Sequence, residues 1–120
     1  MPELVTFSRS VTPELSAPDP QRLLSGHPQL TLWNHYADDT QQFFAGVWEA
    51  TPGSWRVHYS EHEFCHLLAG RIIVTSDTGA RSAFAAGDSF VVPAGFSGTW
   101  EVVETCRKLY AIFERRAAPR

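Results

Sequence analysis

The sequence predicts an all-β fold, and three observations carry that prediction. From Phe43 onward the chain is a series of short runs rich in β-branched and aromatic residues: "FFAGVWEA", "SWRVHYS", "EFCHLLAG", "RIIVTSD", "ARSAFAAG", "SFVVPAG", "GTWEVVE" and "KLYAIFE". The segments "TPGS", "DTGA", "AGDS" and "PAGFSG" separate these runs. Short runs between such turn signals argue a β-sandwich or barrel. No long helical pattern intervenes, which counts against alternating strand–helix units.

Taken in order, residues 1–41 read as an irregular arm. They hold five of the eight prolines: Pro2, Pro13, Pro18, Pro20 and Pro28. Pro18 and Pro20 deny a helix to "TPELSAPDPQ", because each removes a backbone donor and restricts the residue before it. At most a short helical turn is expected around "DPQRLLSG". An arm of this kind stays ordered only by packing on its own barrel or on a partner subunit. The aromatic residues of "TLWNHYADD" are its candidate anchors. Residues 42–115 form the expected barrel, with Gly70, Gly79 and Gly95 in turns. In "SDTGA", Gly79 supplies the positive φ that a tight hairpin needs. Residues 116–120 read as a solvated tail.

Composition narrows the functional classes. The chain has 120 residues, 43% of them hydrophobic and 19% charged, which suits one globular domain. A formal charge of −3 gives no basic footprint, so no nucleic-acid partner is expected. No apolar run reaches the roughly 20 residues needed to span a bilayer, so no membrane partner is expected either. The start "MPELVTFSRS" lacks the order of a secretory signal. Cys65 and Cys106 both lie in apolar runs and read as reduced, buried thiols. The expected location is therefore the cytoplasm. A homodimer is also expected, because small barrels expose strand edges and the arm needs a packing surface.

Two stretches share a longer pattern. In "GSWRVHYSEHEFCHLLAG", Glu63 is followed by six residues and then Gly70; in "GDSFVVPAGFSGTW", Gly87 is followed by five residues and then Pro93-Ala94-Gly95. Together they resemble the two cupin motifs. The chain is similar to the small single-domain cupins related to the ureidoglycine aminohydrolase cupin domain, over roughly residues 43–114. The resemblance implies an RmlC-like jelly-roll β-barrel. It also implies a metal held by three histidines and one glutamate, and chemistry on a small nitrogen-rich or carboxylate compound.

The chain departs from that ligand set. With four residues between the His-x-His pair and Glu63, the pair falls on Arg56 and His58, and the third histidine falls on Gly98. Strand alternation then puts Arg56 and His58 on one inward face, Glu63 with Cys65 and Leu67 on another, and Gly98 with Trp100 and Val102 on a third. Lys108, Tyr110 and Ile112 share a face whose direction the sequence leaves open. Three readings follow. His58 and Glu63 are two ligands of a divalent metal (Mn, Zn or Ni), completed from Glu49 or His35. Or Arg56 pairs with Glu63 in a metal-free pocket of Arg56, His58, Glu63 and Trp100 that takes a small polar ligand. Or these residues only fill the barrel. His58 and Glu63 are the candidate acid and base, and no resident cofactor is expected. Cys65 reads as a core thiol, Asp88 as a turn residue, and Trp33, Trp48 and Trp55 as core or interface anchors.

Overall fold

The computed structural model describes residues 1–116, so four of the five residues of the expected C-terminal tail lie outside it. Nine strands and no helix occur among the described residues. They are β1 (Glu14–Ser16), β2 (Leu23–Gly26), β3 (Leu30–Ala37), β4 (Phe43–Ala50), β5 (Gly53–His58), β6 (His62–Ser76), β7 (Arg81–Ala85), β8 (Ser89–Val92) and β9 (Ser97–Phe113). The all-β prediction holds.

Two long strands organise the sheet. β6 and β9 run antiparallel along nearly their whole length, from His62 opposite Phe113 to Ser76 opposite Gly98. Their pairing slips between Leu67 and Ile72, and there the sheet bends. One half of the curled sheet runs β1–β3–β4–β9–β6–β8, using the end of β9 and the start of β6. The other runs β2–β5–β9–β6–β7, using the start of β9 and the end of β6. The two halves face each other as a jelly roll does, and the core lies between them. Cys65, Leu67, Ile72, Trp100 and Cys106 are at most 1% exposed there. Each large apolar side chain buried in this way contributes about 1.5–3 kcal/mol.

Gly70 corrects an expectation. It lies in the bend of β6, not in a turn. Its φ is 90°, and a Cβ there would come within 2.2 Å of the Thr105 carbonyl oxygen of β9. Only glycine lets the two strands cross the bend this closely. Gly79 and Gly95 do occupy turns, with φ of 94° each.

The first 41 residues are also more regular than expected. They contain β1, β2 and β3, and β3 pairs along β4. Prolines exclude a helix but not a strand whose ends they flank. Pro18 and Pro20 lie in the turn between β1 and β2, and Pro28 lies between β2 and β3. The helical-turn segment is a turn, with the Asp19 carbonyl accepting from the Arg22 and Leu23 amides. The arm thus closes on its own barrel, β1 beside β3 and β2 beside β5.

Candidate functional site

A cavity of about 420 Å³ opens between the two halves of the sheet. Its floor is a buried polar group from β6, β9 and the residue just after β5. Lys108 on β9 is 3% exposed and Glu63 on β6 is 5% exposed. The Lys108 ammonium donates to Glu63 Oε2 at 3.0 Å, and the Tyr59 hydroxyl donates to Oε1 at 2.9 Å. Lys108 Nζ also lies 3.5 Å from Cys65 Sγ. It sits over two indole rings, 4.5 Å from the centroid of Trp48 and 4.6 Å from that of Trp100. Trp55, Leu30, Leu32 and Ile112 extend the apolar wall. Pro18, Asp19 and Arg22 of the arm, with Glu61, line the cavity as well.

The sequence pattern explains how these groups converge. β9 reads Lys108-x-Tyr110-x-Ile112 and β6 reads Glu63-x-Cys65-x-Leu67, and both alternations face the cavity side. Lys108 is the only lysine of the chain. Trp48 stands opposite it on β4.

Burial shapes the ionisation of the group. It acts first on Lys108, where it lowers the pKa, but Glu63, with Cys65 and Cys106 behind it, outweighs that and leaves Lys108 above its ordinary value. Burial, reinforced by Glu63 and Cys65, pushes the Tyr59 hydroxyl well above its ordinary value. Burial also carries the Cys65 thiol up to about 12 and the Cys106 thiol to about 11. These are inert core thiols, as the sequence suggested.

Arg56 and His58 do not join Glu63. Both are exposed, on the face of β5 opposite Trp55. They border the cavity but bond away from its floor: Arg56 pairs with Asp77 at 2.8 Å, and His58 Nδ1 lies 2.6 Å from Ser97 Oγ. The expected Arg56–Glu63 pair is replaced by Lys108–Glu63. The cause is a spacing of three residues, not four, before Glu63, which brings Val57 and Tyr59 to the cavity. Gly98 differs too. A Cβ there would lie 2.0 Å from the Thr75 carbonyl oxygen, so β6 backbone fills the place. Trp100 is buried beside it, as alternation predicted.

The other candidates sort by face. Glu49 pairs with Arg107 at 3.5 Å, and that guanidinium lies 4.9 Å from the Trp33 centroid. His35 stacks on Phe7 at 4.6 Å. Neither His35 nor Glu49 is among the residues lining the cavity. His66 bonds Ser89, and His62 accepts from the Ala94 amide. Asp88 accepts from the Ala85 amide and tightens its turn.

This two-long-strand frame has known counterparts. A family model for the EutQ-like cupin domain matches residues 37–110. The chain belongs to the EutQ-like cupin domain family. Among solved structures, a DUF861-family protein of unknown function from Pseudomonas syringae pv. tomato is 28% identical, with a TM-score of 0.79. The alignment covers 90% of this chain but 46% of that one, so the present cupin spans about half the length of this relative. A putative ethanolamine utilization protein Q from Salmonella typhimurium is 17% identical over 90% of this chain and all of that one, with a TM-score of 0.64. EutQ from Clostridium difficile is 14% identical over 72% of this chain and 63% of that one, again at 0.64. At these last identities the likeness shows the fold alone. No curated protein matches the sequence.

The donor set of this cupin does not fit a divalent metal of the three-histidine, one-glutamate kind. The corresponding places hold Val57, Tyr59, Glu63 and Gly98, and the Glu63 carboxylate is bonded to an ammonium and a phenol. Among the described residues no three His, Cys, Asp or Glu side chains cluster as metal ligands do. Tyr59 and Lys108 are the site residues that motif reasoning missed. Plain alternation carried the signal for Tyr59: in "SWRVHY" the apolar set is Trp55, Val57 and Tyr59, and the polar set is Ser54, Arg56 and His58. For Lys108 the signal was a lone lysine within an apolar strand.

Proposed function

We propose that this cupin binds a small compound carrying a carboxylate or a polar nitrogenous group, with its apolar part against the tryptophans. The observation that carries the reading is the cavity itself. At about 420 Å³ it has the size of a small-molecule site, and it combines an apolar wall with a few convergent polar groups. Lys108 supplies a donor at the floor, Tyr59 a hydroxyl oxygen free to accept, and Arg22 a guanidinium on the arm side. A carboxylate entering the cavity would meet Arg22 and then Lys108. Trp48, Trp55 and Trp100 supply flat apolar surface. Arg56 and His58 border the opening and belong to the proposed pocket there, while Glu63 orients Lys108 and Tyr59 rather than facing the ligand alone.

The test is thermal-shift screening followed by calorimetry with small carboxylates, amino acids and ureido compounds. The expected result is a saturable ligand whose affinity falls about tenfold or more in Tyr59→Phe, the loss of a hydrogen bond in a buried site. Trp48→Ala should weaken it further. Absence of any saturable ligand, or a ligand indifferent to both substitutions, would reject the reading. A metal-dependent activity resembling ureidoglycine aminohydrolase is the alternative that the family resemblance implies, and the donor set around Glu63 argues against it. Ureidoglycine belongs in the screen because it carries both a carboxylate and a ureido group.

A further inference from the structure

We propose that Lys108 is the resident cation of the cavity, standing where a metal-binding cupin holds its ion. The chain's only lysine is 3% exposed. Lysine rarely goes fully under the surface unless its charge is paired, because its flexible stem normally carries the ammonium to water. Here the surroundings form a shell suited to a cation: a carboxylate at 3.0 Å, a sulfur at 3.5 Å, and two indole faces at 4.5 and 4.6 Å. The places that would otherwise feed a metal carry Val57, Tyr59 and a glycine with no room for any side chain. The missing ligands lie in and beside β5 and in the first half of β9, the ammonium in its second half, and the two observations agree.

The consequence is chemical. A covalently held ammonium gives the site a positive charge that, unlike an ion, cannot dissociate from the protein. It donates directed hydrogen bonds and offers no open coordination position. Glu63 accepts one of the three ammonium N–H bonds and Cys65 Sγ a second, so one donor remains for an incoming acceptor. Trp100 Nε1 is buried and has no acceptor among the described residues, and its ring lies against the same ammonium. An anionic or carbonyl oxygen beside Lys108 is the complement to the ammonium's free donor. This concerns the cavity of the binding reading, but its test uses no organic ligand, so the two can fail separately.

The single lysine makes the experiment clean. Protein labelled with ¹⁵N-lysine has one Nζ signal. At neutral pH the expected signal is a slowly exchanging ammonium, and calorimetry with Mn²⁺, Zn²⁺ and Ni²⁺ should find no Glu63-dependent binding at micromolar affinity or tighter. Wild type should melt at the same temperature before and after dialysis against a chelator. A neutral amine signal would overturn the proposal. So would micromolar metal binding that disappears in Glu63→Gln. If Glu63→Gln does not fold, the wild-type spectrum and the chelator experiment decide: a fall of several degrees in melting temperature after chelation would overturn it.

Discussion

The pairing of Lys108 with Glu63 makes two predictions at the scale of the residue. The pair is buried, so removing one partner leaves an uncompensated charge. Lys108→Met should cost about 3–5 kcal/mol, and Lys108→Met with Glu63→Leu should recover most of that loss, both read from urea unfolding. If the single substitution costs no more than a surface change, the pair is not buried in solution. The second prediction concerns alkaline pH. Burial raises Cys65 to about 12, Cys106 to about 11 and Tyr59 above its ordinary value of 10.0, while Glu63 holds Lys108 above 10.5. In each case the folded state keeps its proton longer than the unfolded state. The stabilisation is complete below the unfolded pKa and is lost as pH rises toward the folded one. Melting temperature should therefore begin to fall near pH 9.0, the ordinary thiol value, and steepen above 10.0. A flat profile through this range would contradict the buried placements.

Elements depend on close backbone approach. Gly98 lies in β9 with its α-carbon against β6, and a methyl group there meets the Thr75 carbonyl at 2.0 Å. Gly98→Ala should cost at least about 1–3 kcal/mol, the range of overpacked sites, as measured by chemical denaturation. Gly98→His should create no metal affinity, with or without Arg56→His, because neither side chain reaches the cavity floor. The β3–β4 connection rests on Asp38. Its carboxylate accepts from the Gln42 and Phe43 amides and the Thr40 hydroxyl, and these bonds hold its pKa at about 2. A depressed carboxyl contributes stability above its unfolded value of 3.8 and loses it as pH falls toward about 2. Asp38→Ala should lower the melting temperature at neutral pH, and the difference from wild type should shrink near pH 2. A pH-independent difference would assign Asp38 a purely steric role.

For the whole molecule, we propose that two copies associate. Phe64 and Val91 lie on paired strands with 45% and 59% of their surfaces exposed, and Leu68 follows on the same face at 45%. Among the described residues, strand edges at β1, β2, β7 and β8 are unpaired on one side. A second copy would cover such surface. Light scattering should give twice the 13.4 kDa chain mass at micromolar concentration. The monomer mass across that range would exclude the dimer.

Much of the fold was legible because its signals are local. Period-2 alternation, Gly and Pro punctuation and the absence of a helical period determined an all-β chain before any contact was known. The spacing from Glu63 to Gly70 and from Gly87 to Pro93-Ala94-Gly95 determined the cupin resemblance, and Glu63 and Trp100 were placed inward by parity. The arm was misread because proline content argues against helices and is silent about edge strands. Tertiary structure alone decided the site. A gap of three or four residues before Glu63 turns every side chain of β5 over, and only the packing of Trp55 beside Trp100 fixed which set faces in. The partner of Glu63 lies 45 residues away. Both faces of "KLYAIF" are apolar enough to be buried, so no local pattern could choose between them. The choice fell to the curl of β9, which carries Lys108 over two indoles contributed by other parts of the sheet.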